Sequence, residues 1–324
     1  MQTLDHYREV FLGHLKSRIN ATEPKNLYEP MHYILGIGGK RLRPLLTLMT
    51  ADIFGNRYED ALDAALAVEV FHNFSLVHDD IMDDAPLRRG RQTVHEKWDL
   101  NTGILSGDAM LIIAYQLFEY YEPAKFQKLA KLFSKTAIEV CEGQQYDVDF
   151  ETRDTVSLDE YLKMITYKTA VLVAAAMKMG AIVADASCDE ADAIYDFGLN
   201  LGIAFQLQDD YLDAFGDPAT FGKQVGGDII ENKKTYLYLK TMASLSADEQ
   251  VQLQHLFAIK PVDPTDKIEE VKAYFISSGA DGATQEAIEM YTNKAFDALE
   301  KINISEDKKS FLRAFGNTLM KRTV

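Results

Sequence analysis

Residues 61–83 read ALDAALAVEVFHNFSLVHDDIMD, an apolar run that ends in Asp79-Asp80-Ile81-Met82-Asp83. Its apolar residues recur three and four positions apart, the spacing of a helix with a broad buried face. On such a helix Asp79 and Asp83 lie about 40° apart around the axis, so their carboxylates share a face. The arrangement recurs downstream, where the apolar-periodic stretch Glu190–Phe215 carries Asp209-Asp210-Tyr211-Leu212-Asp213. Gln206 stands one turn earlier on the Asp209/Asp213 stripe. Like charges at this spacing destabilise an isolated helix, and no basic residue within four positions of the second cluster offsets them. Hard carboxylate oxygens on two helices suit Mg²⁺, which keeps several waters and bridges to phosphates. A merely solvated acidic face fits poorly, because polar surface helices do not read FHNFSLVHDD.

The helical period extends over most of the chain. Asp108–Tyr121, Lys125–Cys141 and Tyr161–Val183 show it too, while alternating strand-like runs are nearly absent. Ser157 with Glu160, and Ser246 with Glu249, have the spacing of capping boxes. Breaks are expected at Gly36–Pro44, Ala85–Gly90, Glu122–Pro123, Gly216–Gly227 and Lys260–Pro264. With no repeat and no linker, residues 1–324 read as one all-α domain of roughly ten or more helices. The 324 residues, 47% of them hydrophobic, can bury a large core. A formal net charge of -16 excludes nucleic acid as a partner class and fits anionic substrates only if a cation mediates. Cys141 and Cys188 show no metal-ligand or CxxC spacing, so no disulfide framework is expected. The N-terminus lacks the apolar core of a signal peptide. The stretch Ala170–Ala184, interrupted by Lys178, is too short to span a bilayer. A cytoplasmic protein with no transmembrane segment is expected.

Basic residues complement the aspartates. Gly38-Gly39-Lys40-Arg41-Leu42-Arg43-Pro44 pairs backbone freedom with a cationic clamp suited to a diphosphate. Leu87-Arg88-Arg89-Gly90 follows the first cluster, Tyr167-Lys168-Thr169 lies between the two, and Lys223 and Lys233-Lys234-Thr235-Tyr236 follow the second. In this order and spacing, the sequence from about Gly36 to Tyr236 resembles the trans-type polyprenyl diphosphate synthases, the family of farnesyl and geranylgeranyl diphosphate synthases.

The resemblance implies an isoprenoid synthase-type helical bundle around a central cavity, usually a homodimer, and a prenyltransferase activity in isoprenoid biosynthesis. It implies Mg²⁺ at Asp79, Asp80 and Asp83 and at Asp209, Asp210 and Asp213, three ions with substrate bound. Arg88, Lys168, Lys223 and Lys233 would contact the allylic diphosphate, and Lys40, Arg43, His72 and Arg89 the isopentenyl diphosphate. The allylic C–O bond would ionise, with Lys168, Thr169 and Gln206 stabilising the cation by their dipoles. The double bond of isopentenyl diphosphate would then attack, and the departing diphosphate would accept the released proton. The glycine-rich loop Phe215–Asp228 is a candidate lid. Gln92-Thr93 departs from a common Pro-Thr. Lys321 and Arg322 read more simply as complements to a helix dipole than as a diphosphate clamp.

Product length in this family follows the bulk beneath the first cluster. Ser75 lies one turn below Asp79 and should face an elongation channel, whereas Phe74 is about 140° away. One aromatic at Phe74 with a small Ser75 resembles a twenty-carbon geranylgeranyl synthase, and a fifteen-carbon farnesyl product is the alternative. A class I terpene cyclase would lack the GGKRLRP element and carry a different second cluster. A non-catalytic regulatory subunit would have lost a cluster or the arginine pair, and both are present.

Overall fold

The computed structural model describes residues 1–19, 22–55, 57–217 and 225–321. Its contacts gather into two compact units, Met1–Lys135 with Ala175–Asp192, and Thr136–Ala174 with Ala193–Val324. Among the described residues all regular structure is helical except one two-residue hairpin.

In the first unit the helix Leu62–Met82 is the centre, packing on Leu42–Gly55 and on Leu100–Gln116. Leu66, Val70 and Phe71 on it are at most 1% exposed. Each such side chain contributes roughly 1.5–3 kcal/mol by leaving water. Phe71 meets Phe133 edge-on at 5.0 Å between ring centroids. The helix runs past Val77 through the aspartate cluster, and its end is sharply defined. Asp84 takes a left-handed conformation (φ 49°), and its N–H donates to the Ile81 carbonyl. The Ala85 N–H reaches back to the Asp80 carbonyl at 2.9 Å, completing a Schellman-type stop.

The chain then forms the hairpin Leu87–Arg88 with Arg91–Gln92. Arg89 (φ 53°) and Gly90 (φ 72°) make its two-residue turn, both with positive φ, as the twist of a tight hairpin demands. Buried Thr93 closes the arm: its hydroxyl donates to the Ala85 carbonyl at 2.8 Å and its N–H to the Pro86 carbonyl at 3.2 Å. Helix Leu100–Gln116 starts at its Asp99 cap, eight residues before the expected Asp108.

The second unit holds the N-terminal part, 158–174, of the helical stretch Leu158–Val183, in which Thr166–Ala170 is a π-helical turn. Two glycines allow this turn its close neighbours. A Cβ on Gly143 would run into the backbone of Tyr167 and Lys168, and one on Gly202 would stand 2.8 Å from the Ala170 Cα. Both expected capping boxes form. Glu160 Oε2 accepts from the Ser157 N–H and Glu249 Oε2 from the Ser246 N–H, each at 2.9 Å. A third, Ser187 with Glu190, starts Cys188–Phe215 and had not been expected. Pro123 opens helix Pro123–Thr152, where its missing N–H costs nothing.

The apolar segment Ala170–Ala184, expected to be too short for a bilayer, belongs to this longer helical stretch. By length and composition Leu158–Val183 could cross one, but 67% of its most apolar window is buried inside the protein. The pattern of a core helix accounts for its composition.

Candidate active site

Asp80, on the last turn of Leu62–Met82, is 1% exposed. Arg88 Nε donates to its Oδ1 at 2.7 Å, and Arg88 Nη2 lies 3.5 Å from Asp79 Oδ2. Asp80 Oδ2 is buried with no hydrogen-bond partner among the described residues. Burial and the neighbouring Asp79 push the Asp80 carboxyl above its usual range, against the pull of Arg88. Asp79 is half-buried and Asp83, capping the helix, is exposed. Asp80 is thus the inner carboxylate of the set, with a buried oxygen to which a cation can bind.

The glycine-basic loop is held to the same helix. Arg41 (φ 52°) is buried and pairs with Glu69 and with the Leu35 carbonyl, while Asn73 Nδ2 donates to Glu69 Oε1 at 3.0 Å. That network puts Arg43 Nη1 3.2 Å from His72 Nε2. Burial holds the His72 imidazolium well below its ordinary pKa, and Arg43, Arg89, Arg88 and Arg41 depress it further. His72 is therefore neutral, accepting from Arg43 at Nε2 and carrying its proton on Nδ1. Arg43 Nε is buried with no hydrogen-bond partner among the described residues. Arg89 donates to the Gly38 carbonyl, and a Cβ on Gly39 would meet its guanidinium. Lys40, at the mouth of the loop, is exposed. Several guanidinium groups thus crowd one uncharged imidazole, an arrangement whose repulsion an anion would relieve.

In the second unit a cavity of about 250 Å³ is lined by Asp209, Asp210 and Asp213 together with Lys168, Thr169, Gln206 and Lys233. Gln206 donates to Asp210 Oδ1 at 2.9 Å, so its partner is the middle aspartate rather than the Asp209/Asp213 stripe. Thr169 Oγ1 donates to Gln206 Oε1 at 3.1 Å, and Tyr161 donates to Asp210 from beneath. Lys168 Nζ lies 2.5 Å from Asp147 Oδ2, and Lys233 Nζ 3.1 Å from Glu231 Oε2. Burial opposes the Lys233 charge, but Glu231, Asp228 and Asp147 hold it firmly protonated. Lys223 lies outside the described residues, as does half of the candidate lid, residues 218–224; so does Arg322, while Lys321 is exposed at the end of the last helix.

Asp228, Asp147 and Tyr161 join this site without having been expected there. Asp228 donates its N–H to Asp213 Oδ2 at 2.9 Å, and burial with Asp210 and Asp213 pushes its carboxyl up to about 8. Burial likewise pushes Asp210 up to about 7, with Asp209 and Asp213 adding to it. With Asp210 and Asp228 both disfavoured as charged groups, the aspartates that line this cavity fit a site for divalent cations, and their all-oxygen donor set suits Mg²⁺. The Gly226-Gly227-Asp228 run before two lysines was the available signal for Asp228; Asp147 and Tyr161 carried none.

Beneath the first cluster, Phe74 is 8% exposed and packs on Phe71 and His78 at 5.5 and 4.8 Å between centroids. Ser75 is half-buried, its hydroxyl turned back to the His72 carbonyl at 2.8 Å.

The polyprenyl synthetase family model matches residues 24–275. A crystal structure of a geranylgeranyl pyrophosphate synthase is 58% identical, covers 99% of each chain and superposes with a TM-score of 0.95. The geranylgeranyl diphosphate synthase of Sulfolobus acidocaldarius is 37% identical over 300 residues, 90% of this chain and 89% of its own. The geranylfarnesyl diphosphate synthase of Natronomonas pharaonis is 38% identical over 275 residues, 79% of each. With both aspartate clusters and their basic companions in place, these similarities establish that the chain belongs to the polyprenyl synthetase family of prenyltransferases.

Proposed function

We propose that this enzyme joins isopentenyl diphosphate head to tail to allylic diphosphates and releases the all-trans twenty-carbon product, geranylgeranyl diphosphate. The observation that carries the reading is the coexistence of two buried-edge aspartate clusters with a crowded arginine nest around a neutral His72. The 58% identical structure, named a geranylgeranyl pyrophosphate synthase, supports the product.

Asp79, Asp80 and Asp83, and Asp209, Asp210 and Asp213, would hold Mg²⁺, three ions with substrate bound. When bound, these ions draw negative charge off the allylic diphosphate and make it a better leaving group. Arg88, Lys168, Lys223 and Lys233 would take oxygens of that diphosphate; Arg88, Lys168 and Lys233 meanwhile rest on Asp80, Asp147 and Glu231. Lys40, Arg43, His72 and Arg89 would grip isopentenyl diphosphate, with neutral His72 donating from Nδ1. Because the Thr169 hydroxyl donates to Gln206, its oxygen lone pairs stay available to a developing allylic cation, and Lys168 and Gln206 oxygens add to them. The double bond attacks that cation, and the departing diphosphate takes the proton. Phe150, Met164 and Ile165 line the cavity and limit water, which would otherwise quench the cation to an alcohol.

The two units act as one catalytic domain, a reading supported by a family match that draws on both. A homodimer is supported by the helix Leu100–Gln116, which leaves Leu100, Leu105 and Ile112 more than half exposed. A twenty-five-carbon product is the second reading, favoured by the relative named geranylfarnesyl diphosphate synthase. Labelled isopentenyl diphosphate tests the chemistry. Label should enter a lipid-extractable product only with both an allylic primer and Mg²⁺ present and disappear with EDTA; incorporation without a primer would contradict it.

A further inference from the structure

Outside the clusters described above, three side chains converge at the base of the Leu87–Gln92 hairpin. Asp84 precedes the arm and His95-Glu96 follow it, and one ligand atom of each lies within 4.8 Å of the other two. His95 is the informative member. Its side chain is 8% exposed, yet neither ring nitrogen has a hydrogen-bond partner among the described residues. Nε2 stands 3.9 Å from Glu96 Oε1, beyond hydrogen-bond reach. An imidazole buried with both nitrogens unsatisfied gives up its hydration with no return, and this one faces two carboxylates that remain open to solvent.

We propose that Asp84, His95 and Glu96 form a site for a divalent transition-metal ion of the Zn²⁺ type, separate from the carboxylate clusters assigned to Mg²⁺. The imidazole decides the ion class, since Mg²⁺ prefers oxygen ligands and its own waters, whereas Zn²⁺ binds histidine with carboxylates readily. Ligand atoms about 2.1 Å from a tetrahedral ion stand about 3.4 Å apart, so atoms now as much as 4.8 Å apart must close by up to about 1.4 Å. The exposed Asp84 and Glu96 side chains have the freedom to do this, and water takes the fourth position. The ion would tie together the two ends of the arm that carries Arg88 and Arg89, adding a clamp below the one Thr93 provides.

The test is calorimetric titration of Zn²⁺ into the full chain in millimolar Mg²⁺. Wild type is compared with Asp84→Asn, Glu96→Gln, His95→Ala and the double variant Asp79→Asn/Asp83→Asn. One Zn²⁺ per chain is expected, weakened by about tenfold or more in each of the first three variants and retained in the double variant. Asp84 and Glu96 are exposed, so their substitutions keep the comparison readable even if His95→Ala fails to fold. Absence of this Zn²⁺, or binding that is lost with the double variant and indifferent to Asp84 and Glu96, overturns the proposal. Because the readout is metal occupancy, neither result bears on whether the enzyme condenses prenyl diphosphates.

Discussion

Arg43 and His72 meet at 3.2 Å, and under the proposed function their roles would separate by charge, the guanidinium supplying attraction and the neutral imidazole a directed N–H. Losing one charge-assisted hydrogen bond costs about 1.5–3 kcal/mol. Arg43→Gln should therefore raise KM for isopentenyl diphosphate about 10–100-fold and leave KM for the allylic substrate nearly unchanged in steady-state kinetics. His72 also makes a stability prediction. Its folded pKa lies below the unfolded value of about 6.5, so the unfolded chain binds the proton more readily. Stability is then full above pH ~6.5 and falls as pH drops below it, by up to about 1.4 kcal/mol per pH unit from this group. Urea denaturation between pH 7 and pH 5 should show His72→Gln losing less stability over that span than wild type. Ser75, half-buried one turn below Asp79, is proposed to face the elongation channel, which a phenyl group there would shorten. Ser75→Phe should shift the main product from twenty to fifteen carbons by chromatography. Single residues were legible where chemistry is local, as with the aspartate triplets. Arg41 was quoted only as part of a basic loop, although Glu69 within the apolar run 64–71 was a readable sign that a buried cation had to meet it.

The element that matters most for the site is the π-helical turn Thr166–Ala170, because it sets where Lys168 and Thr169 emerge along a helix that is otherwise regular. It fits only because Gly143 and Gly202 present bare backbone on its neighbours. Gly143→Ala should cost about 2 kcal/mol or more by forcing those backbones apart, read as a lower urea midpoint together with reduced turnover. Gly13→Ala is the contrasting case. It sits inside Leu4–Arg18 with nothing within 4 Å of the added Cβ and should stabilise the chain by up to about 1 kcal/mol. The helices themselves were legible from periodicity, and two of their starts from capping boxes. The π-turn was not, since one extra residue in a turn leaves no mark on composition. Helix Pro123–Thr152 outran its expected end at Cys141 because residues 142–149, with only Tyr146 and Val148 apolar in part or whole, gave no apolar stripe to follow.

At the scale of the whole molecule, the net charge of -16 sits oddly with anionic substrates until the carboxylates are seen to gather. Asp209, Asp210, Asp213, Asp228 and Asp147 share one cavity with Lys168 and Lys233, so much of the local negative charge stands where cations would be required. The all-helical class and both clusters were readable because each is written in consecutive residues. The part that Asp147 and Tyr161 play beside the second cluster was not, since it depends on helices brought together from distant parts of the chain. Under the proposed function this machinery extends a prenyl chain and stops at twenty carbons. The most direct measurement supplies isopentenyl diphosphate and Mg²⁺ with five-, ten- and fifteen-carbon allylic diphosphates in separate reactions and sizes the dephosphorylated products. The proposed function predicts that all accepted primers converge on a single twenty-carbon linear alcohol. Products that stop at another length would contradict the assignment of Ser75 and Phe74, and release of unextended or cyclised alcohols without isopentenyl incorporation would contradict the condensation itself.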